Sequence, residues 1–459
     1  MDIPTRKPPL TVPEHLDESG VLLGWSLDAS DHPPPMGFAS VARSSPETLR
    51  PVLHASSGHF MTFAPTGSGK GVSAVIPNLL HYEGPVIVID PKGENYAVTH
   101  RRRREMGQQV ICLDPFDTIA DDHPNARFNP LDLIDGRLPS AAEDADMLAE
   151  ALSYQTSNDR DPFWHVRGKQ LLAGLILHVA TCRAPVLRNL GEVHYLLNQS
   201  EDDFKFTLKE MANSRVEAVR QTVAILSHSA ERMAASIQAM SQTNLGFMSG
   251  EQVKTATGDS DFDLAAITRG DPVSIYLLIP PEKLESHGAL LRIWISCLIK
   301  LILRRRSKVE RNTLFILDEA AQLGHFPPLR QAITLLRGFG LQTWSFWQDL
   351  SQLKRLYPND WETMYNNCRA HQYFGITTPL LADQIAQLTL KYGYSDILEL
   401  DSDEMLLTLA GAPPMIAQKP NYLTDPPFQG RYDDNPYYQP EDARALEPRR
   451  GQRDLRSEP

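Results

Sequence analysis

Ala64–Gly71 reads A-P-T-G-S-G-K-G. Phosphate-binding loops follow G-x-x-x-x-G-K-[ST], and this stretch departs from that pattern twice. Ala64 stands at the first glycine and Gly71 at the hydroxyl position. The surroundings decide how to read it. His59–Ala64 is a strand candidate, and a helix is expected from about Lys70 to His81. A glycine loop in that setting turns the backbone N–H groups of Gly67–Lys70 toward a phosphate, and the helix N-terminus adds the positive end of its dipole. Thr66, Gly67, Ser68, Gly69 and Gly71 then form the cradle, and Lys70 reaches the β- and γ-phosphates of ATP. Ala64 is acceptable if the backbone there has no need of a positive φ. Gly71 lacks the hydroxyl that ordinarily ligates Mg²⁺, which leaves water, Thr66 or Ser73 to replace it. The plain alternative is a glycine turn between strand and helix.

The second motif lies far downstream. Thr313–Glu319 reads T-L-F-I-L-D-E, an apolar strand ending in two carboxylates. In a phosphate-loop ATPase the first, Asp318, holds the Mg²⁺ shell, and the second, Glu319, orients or deprotonates the attacking water. Kinases of small molecules have no need of that glutamate, so the pair favours hydrolysis. A helix cap explains a lone D-E equally well. At the next strand end, Leu341–Gln348 (L-Q-T-W-S-F-W-Q) brings Gln348 to the same edge as a γ-phosphate sensor. Asp90, at the end of the strand Pro85–Asp90, is placed in the nucleotide site as well, and Lys92 and Glu94 follow it at the edge where ligands sit in such sheets, with a role near the phosphates or an exposed, charged turn as the two readings.

Between these motifs the texture alternates and then changes. Pro85–Asp90 and Gln109–Asp114 are short apolar runs, separated by a basic helical segment at Tyr96–Met106. This rhythm predicts a parallel sheet with helices on both faces. After Asn129-Pro130-Leu131, helices are expected at Ser140–Tyr154, Phe163–Cys182, Leu190–Asn198, Asp203–Asn213 and Val216–Gln242. Strands return at Ser274–Ile279, Thr313–Asp318, Leu341–Trp347 and His371–Ile376. One α/β domain over 51–130 and 266–425, interrupted by an all-α domain over 131–265, accounts for the order. Residues 1–50 read as a proline-rich lead-in with a strand at Val21–Trp25. Residues 426–459 read as an extended or disordered tail.

Composition bounds the rest. The chain has 459 residues, 42% apolar and 22% charged, with net charge −12. A uniformly basic surface is excluded, but a local basic channel is not. Cys112, Cys182, Cys297 and Cys368 are widely spaced, which argues against zinc and disulfides and for a reducing cytoplasm. Leu171–Cys182 and Ala289–Leu303 are the most apolar stretches, and both are expected to be buried helices rather than membrane spans. Trp164 is expected in the core. Arg101–Arg104 and Arg304–Arg306 are expected on solvated helix faces, with a DNA path as the sharper reading.

Taken together, A-P-T-G-S-G-K-G-V, V-I-P-N-L-L at Val75–Leu80, D-P-K-G-E at Asp90–Glu94, F-N-P-L-D at Phe128–Asp132, D-P-F-W at Asp161–Trp164, L-D-E-A-A-Q-L-G at Leu317–Gly324 and W-Q-D-L-S-Q-L at Trp347–Leu353 resemble the type IV secretion coupling proteins, the conjugative DNA-transfer ATPases. The resemblance runs from about Gly20 to Asp425. It implies a RecA-like motor with an inserted all-α domain, ATP and Mg²⁺ as cofactors, and a homo-hexameric or transiently hexameric ring, with a monomer left open for the isolated chain. It also implies single- or double-stranded DNA, a relaxase, secreted effectors and channel components as partners. By motif match Lys70 is the loop lysine, Asp318 and Glu319 the metal and water carboxylates, and Gln348 the sensor. Arg337, in L-L-R-G-F-G, falls where the family places an arginine finger acting on the neighbouring subunit. The alternative is a cation at a helix C-terminus, capped by Gly338. The family usually begins with transmembrane helices, and none is read here. A separate anchor subunit, a soluble branch or a truncated chain would account for that. A cytoplasmic protein, peripheral at the inner face of the bacterial plasma membrane, is the expected location. A DNA-pumping ATPase, an effector-recruiting ATPase and a non-catalytic nucleotide-binding assembly factor are the three functions left open. Intact Glu319 and Arg337 count against the last.

Overall fold

The structure, a computed structural model, describes residues 11–26, 48–119, 124–153, 162–227 and 231–437. Its strands are β1 (Val21–Ser26), β2 (Arg50–His54), β3 (His59–Phe63), β4 (Val86–Ile89), β5 (Gln109–Leu113), β6 (Val273–Leu277), β7 (Thr313–Leu317), β8 (Leu341–Trp347), β9 (Cys368–Tyr373), β10 (Glu404–Leu409) and β11 (Met415–Gln418). The chain divides into two compact units. One holds the described residues within 1–110, 272–274 and 309–459, the other those within 111–271 and 275–308.

In the first unit the strands run β2-β1-β11-β10-β9-β3-β8-β7-β4. β3, β8, β7 and β4 are mutually parallel neighbours, and β9 is parallel to β3. Every residue of β3, β4, β7 and β8 is buried, as continuous apolar runs require when both faces of a sheet are covered. Beyond β9 the sheet turns antiparallel through β10, β11, β1 and β2. The sheet is therefore mixed rather than purely parallel. The added strands come from E-M-L-L-T-L and M-I-A-Q, joined by a short turn in which Gly411 takes a left-handed φ of 88°.

The helix that leaves the glycine loop starts with a π-type turn at Gly71–Val75 and continues as an α-helix over Ile76–His81. Buried Asn78 ties it to the sheet: its Oδ1 accepts from Leu22 N at 2.7 Å and its Nδ2 donates to Leu22 O at 2.8 Å. Residues 422–433 pack on the same helix and its neighbours. Tyr422 and Phe428 are fully buried with Trp25, Val72, Ile76 and Val98, Trp25 Nε1 donates to Asp425 Oδ2 at 2.8 Å, and Asp433 pairs with Arg101. Residues 426–437 are thus a packed strap rather than a free tail, held by burial of an aromatic worth about 2 kcal/mol. Residues 438–459 lie outside the described set.

The basic run on the helix Glu94–Glu105 is solvated only in part: Arg104 is exposed and Arg101 and Arg102 are half-buried. Arg103 is fully buried. It donates to Leu79 O at 3.3 Å, to Tyr82 O, to Gly84 O at 2.7 Å and to Ser274 Oγ at 2.8 Å. It staples the end of the loop helix to its neighbours.

The second unit is mostly helical. Helices occupy Ala141–Leu152, Pro162–Cys182, Leu190–Leu197, Glu201–Ala212, Glu217–Ser227, Glu231–Asn244, Glu251–Ala256, Leu264–Arg269 and Pro281–Leu303. Asn189, Ser200 and Asp263 cap three of them through side-chain oxygens. Val216–Gln242 is two helices, and residues 228–230 between them are not described. Asp161 of D-P-F-W also lies outside the described residues. Trp164 is only half-buried, against the exposed Phe163. Pro281–Leu303 is long and apolar enough to cross a membrane, yet most of it is buried, and it packs on Ala141–Leu152. Buried Asp144 receives Lys300 at 3.1 Å and Arg304 at 2.7 Å, and Arg305 is buried against Ile267 O. Arg304 and Arg305 are therefore internal ties as well.

Candidate nucleotide site

Three parallel strands bring the site together. β3 feeds the glycine loop, β7 ends at Asp318-Glu319 and β8 ends at Gln348, and β8 lies between the other two. Their carboxyl ends share one edge. Gly67 and Gly69 have φ of 80° and 88°, the left-handed region that favours glycine. Ala64 has no positive φ, and its N–H donates to Trp347 O at 2.8 Å. The first departure from the usual pattern therefore costs the backbone nothing.

Lys70 Nζ donates to Ala64 O at 3.1 Å and to Glu319 Oε1 at 3.1 Å. Gln348 Nε2 donates to Glu319 Oε2 at 3.2 Å. Glu319 has a left-handed φ of 62°, which for a residue with a Cβ costs about 1–2 kcal/mol. Strain of this kind collects at functional sites. Asp318 is half-buried as a residue, but its Oδ1 is fully covered and has no hydrogen-bond partner. Burial pushes its carboxyl up to about 6, opposed by Lys70 and aided by the Glu319 and Glu94 charges.

The structure places the other sequence candidates less uniformly. Thr66 is exposed at the loop tip. Ser68 Oγ donates back to Pro65 O at 2.6 Å. Ser73 is buried, its N–H on Gly69 O at 2.9 Å. Asp90 is buried and its carboxylate is spent on the next helix: Oδ2 accepts from Tyr96 N at 2.8 Å and Oδ1 from Asn95 Nδ2 at 3.2 Å. Burial pushes it up to about 7, against those hydrogen bonds. Lys92 is exposed. Arg337 is not brought to this cluster. Its Nε donates to Ser57 Oγ at 3.0 Å, and both residues precede parallel strands, β8 and β3. Arg337 thus sits at the amino edge of the sheet, opposite the glycine loop of its own chain.

Two contacts carry no sequence signature. Lys419, just after β11, is half-buried, with its Nζ on Ser68 O at 3.1 Å and 4.9 Å from the Phe374 ring centroid. Burial lowers its amine to about 8. Gly375, at φ 69°, lets the backbone abut the loop, where a Cβ would stand 2.3 Å from Ser68 Cβ. Only the K-P turn and an isolated glycine mark these positions in the sequence.

The profile of the family described as Type IV secretory system Conjugative DNA transfer matches residues 38–392. The chain belongs to that family. Among other coupling-protein relatives, it is 26% identical over 360 residues to conjugal transfer protein TraG of Escherichia coli, covering 73% of this chain and 55% of that one. It is 25% identical over 403 residues to protein VirD4 of Rhizobium radiobacter, covering 80% and 57%. The chain spans about half the length of the curated relatives it matches. Among solved structures, the bacterial conjugative coupling protein TrwBdeltaN70 superposes with a TM-score of 0.62 at 17% identity, over 80% of this chain and 86% of that one. TrwB in complex with ADP and Mg²⁺ gives 0.61 at 16%, over 79% and 85%. The fold is RecA-like α/β with a helical insertion.

Among the described residues no three His, Cys, Asp or Glu side chains are arranged to hold a metal. A Mg²⁺ ion here must draw most of its ligands from phosphate and water, as it does in nucleotide sites. The covered, unpartnered Oδ1 of Asp318 fits a protein-side oxygen of such a site.

Proposed function

We propose that this chain is an ATP-hydrolysing coupling protein that recruits a relaxase–DNA complex and drives its delivery to a type IV secretion channel. The convergence of Lys70, Glu319 and Gln348 over the glycine loop carries the reading. In it, the N–H groups of Gly67–Gly71 and Lys70 bind the phosphates, Asp318 holds the shell of a Mg²⁺ that offsets phosphate charge, and Glu319 takes the proton of the attacking water. Gln348 keeps Glu319 aimed and senses the γ-phosphate. Thr66 closes over the phosphates from the tip, and Lys92 adds a cation at the same edge. Asp90 acts indirectly, by fixing the turn that carries Lys92 and Glu94. Solved relatives titled as complexes with ADPNP and with ADP and Mg²⁺ support the cofactors.

Arg337 acts in trans. Its place at the amino edge keeps it from its own glycine loop and supports a ring in which it reaches the neighbour's nucleotide. A homo-hexamer docked at the inner face of the plasma membrane is the assembly that follows. The net charge of −12 and the internal use of Arg103, Arg304 and Arg305 favour a second reading, recruitment of effector proteins without DNA pumping. ATP hydrolysis measured against protein concentration, with and without single-stranded DNA, decides between them. A rate per subunit that rises with concentration and again with DNA supports the DNA motor. A DNA-indifferent rate that rises with added effector supports the second reading, and no hydrolysis under any condition refutes both.

A further inference from the structure

Gly71 leaves a gap where the loop ordinarily carries a hydroxyl, and an acidic side chain faces it. A Cβ built on Gly71 meets one neighbour within 4 Å, Glu94 Oε1 at 3.8 Å. Glu94 opens the helix that follows β4, and β4 is the parallel neighbour of β7. It therefore arrives at the same sheet edge as Asp318, whose covered Oδ1 lacks a partner. The carboxylate is held in place from the strap: Asn435 Nδ2 donates to Glu94 Oε1 at 2.7 Å. The two hydroxyls nearby serve the gap less well. Thr66 is exposed at the tip, and Ser73 is buried one helical turn beyond Gly69.

We propose that Glu94 replaces the missing loop hydroxyl in the Mg²⁺ shell of the bound nucleotide, directly or through one water, and that Asn435 positions it. The proposal rests on the nucleotide reading of the glycine loop. Mg²⁺ takes hard oxygen ligands, usually one or two carboxylates together with phosphates and waters, and Glu94 with Asp318 supplies that number. The exchange of hydroxyl for carboxylate has an electrostatic signature. With the metal present, Glu94 attracts it. Without the metal, the same charge repels the phosphates. Affinity for nucleotide then depends more steeply on Mg²⁺ than a hydroxyl would make it.

The test is binding of a fluorescent ADP analogue with Mg²⁺ and with EDTA, read as the Kd in EDTA divided by the Kd with Mg²⁺. Glu94→Gln is expected to weaken binding with Mg²⁺ and to tighten it in EDTA, so the ratio falls about tenfold or more. A purely structural role would move both Kd values the same way. Gly71→Ser added to Glu94→Gln is expected to restore part of the ratio, because it returns the hydroxyl to the gap. Asn435→Ala, which leaves the carboxylate but frees it, is expected to lower the ratio about threefold, and it carries the test should Glu94→Gln fail to fold. Wild-type binding that needs Lys70, with a ratio unmoved by both Glu94→Gln and Asn435→Ala, overturns the proposal alone. Wild-type binding that is absent, or indifferent to Lys70→Ala, overturns the nucleotide reading and the proposal with it.

Discussion

Glu319→Gln separates catalysis from architecture. The native carboxylate accepts from Lys70 at 3.1 Å and from Gln348 at 3.2 Å. The Lys70 and Glu319 side chains are 10% and 21% exposed, so their pairing lies between an exposed ion pair, worth under about 1 kcal/mol, and a buried one, worth about 3–5 kcal/mol when broken. Glutamine keeps the shape and an accepting oxygen, and Lys70 keeps Ala64 O. The left-handed backbone is equally strained in both forms, so that cost cancels. The stability loss is expected at about 1–2 kcal/mol, read as a shift in the urea midpoint. Loss of a general base costs about 10²–10⁴-fold in kcat, which is about 3–5 kcal/mol of transition-state stabilisation. Turnover should therefore fall by more than stability explains, while nucleotide binding persists or tightens as Lys70 loses its competing partner. Turnover within about threefold of wild type would refute the assignment of Glu319. A kcat loss matched by lost nucleotide binding would make the residue structural.

Arg337→Ala should lose turnover and regain part of it when mixed with Glu319→Gln, since a mixed interface pairs one intact half from each; no rescue at any ratio argues against a finger in trans. Arg103→Met leaves Leu79 O, Tyr82 O, Gly84 O and Ser274 Oγ without their donor, and should lower stability by about 3–5 kcal/mol, checked by urea denaturation; a change under about 1 kcal/mol would show the staple to be dispensable. Asp90 is raised from 3.8 to about 7, so the native state holds its proton more tightly than the unfolded chain does. Its stability contribution is complete below 3.8 and lost as pH rises through about 7. Against Asp90→Asn, the wild type should lose up to a few kcal/mol across that window, and parallel stability–pH curves would show that Asp90 does not titrate there.

The parallel core was legible because each of its strands is a short continuous apolar run ending at a loop with its own chemistry. P-V-I-V-I-D and T-L-F-I-L-D-E admit little else once a glycine loop precedes them. Of the antiparallel strands β1 was legible at Val21–Trp25, but β10 and β11 were not, because they are divided by A-G-A-P-P, which reads as the start of a loop region. The hairpin signal was Gly411, whose left-handed φ permits the reversal. Composition hid the strap: its polar residues outnumber Phe428 and Tyr432, yet those two aromatics pack with Tyr422 over the loop helix. The arginine runs misled for a related reason. A guanidinium carries enough donors to satisfy several carbonyls at once, so Arg103 can be internal where a run of charges suggests water. Lys419 could not have been found, since its partner is the backbone carbonyl of Ser68 rather than a side chain with a motif.

The pairing of Lys70 with Glu319 also orders the events of the proposed cycle. Lysine has three donors and no acceptor. One is on Ala64 O and one on Glu319 Oε1, while Oε2 of the same carboxylate is held by Gln348. Each oxygen of Glu319 thus already accepts from one side chain, which leaves fewer lone pairs for the attacking water. Phosphate oxygens entering the loop compete with Glu319 for the lysine, and a doubly charged terminal phosphate at hydrogen-bond distance outweighs a single carboxylate. Capture of the phosphate then releases Oε1, while Gln348 keeps the carboxylate from swinging away. Since the three groups stand at the ends of adjacent parallel strands, the exchange needs no movement of the sheet, only a change of partner at the lysine. Binding would thereby arm the base, and Glu319 would stay occupied until a phosphate is there to be attacked.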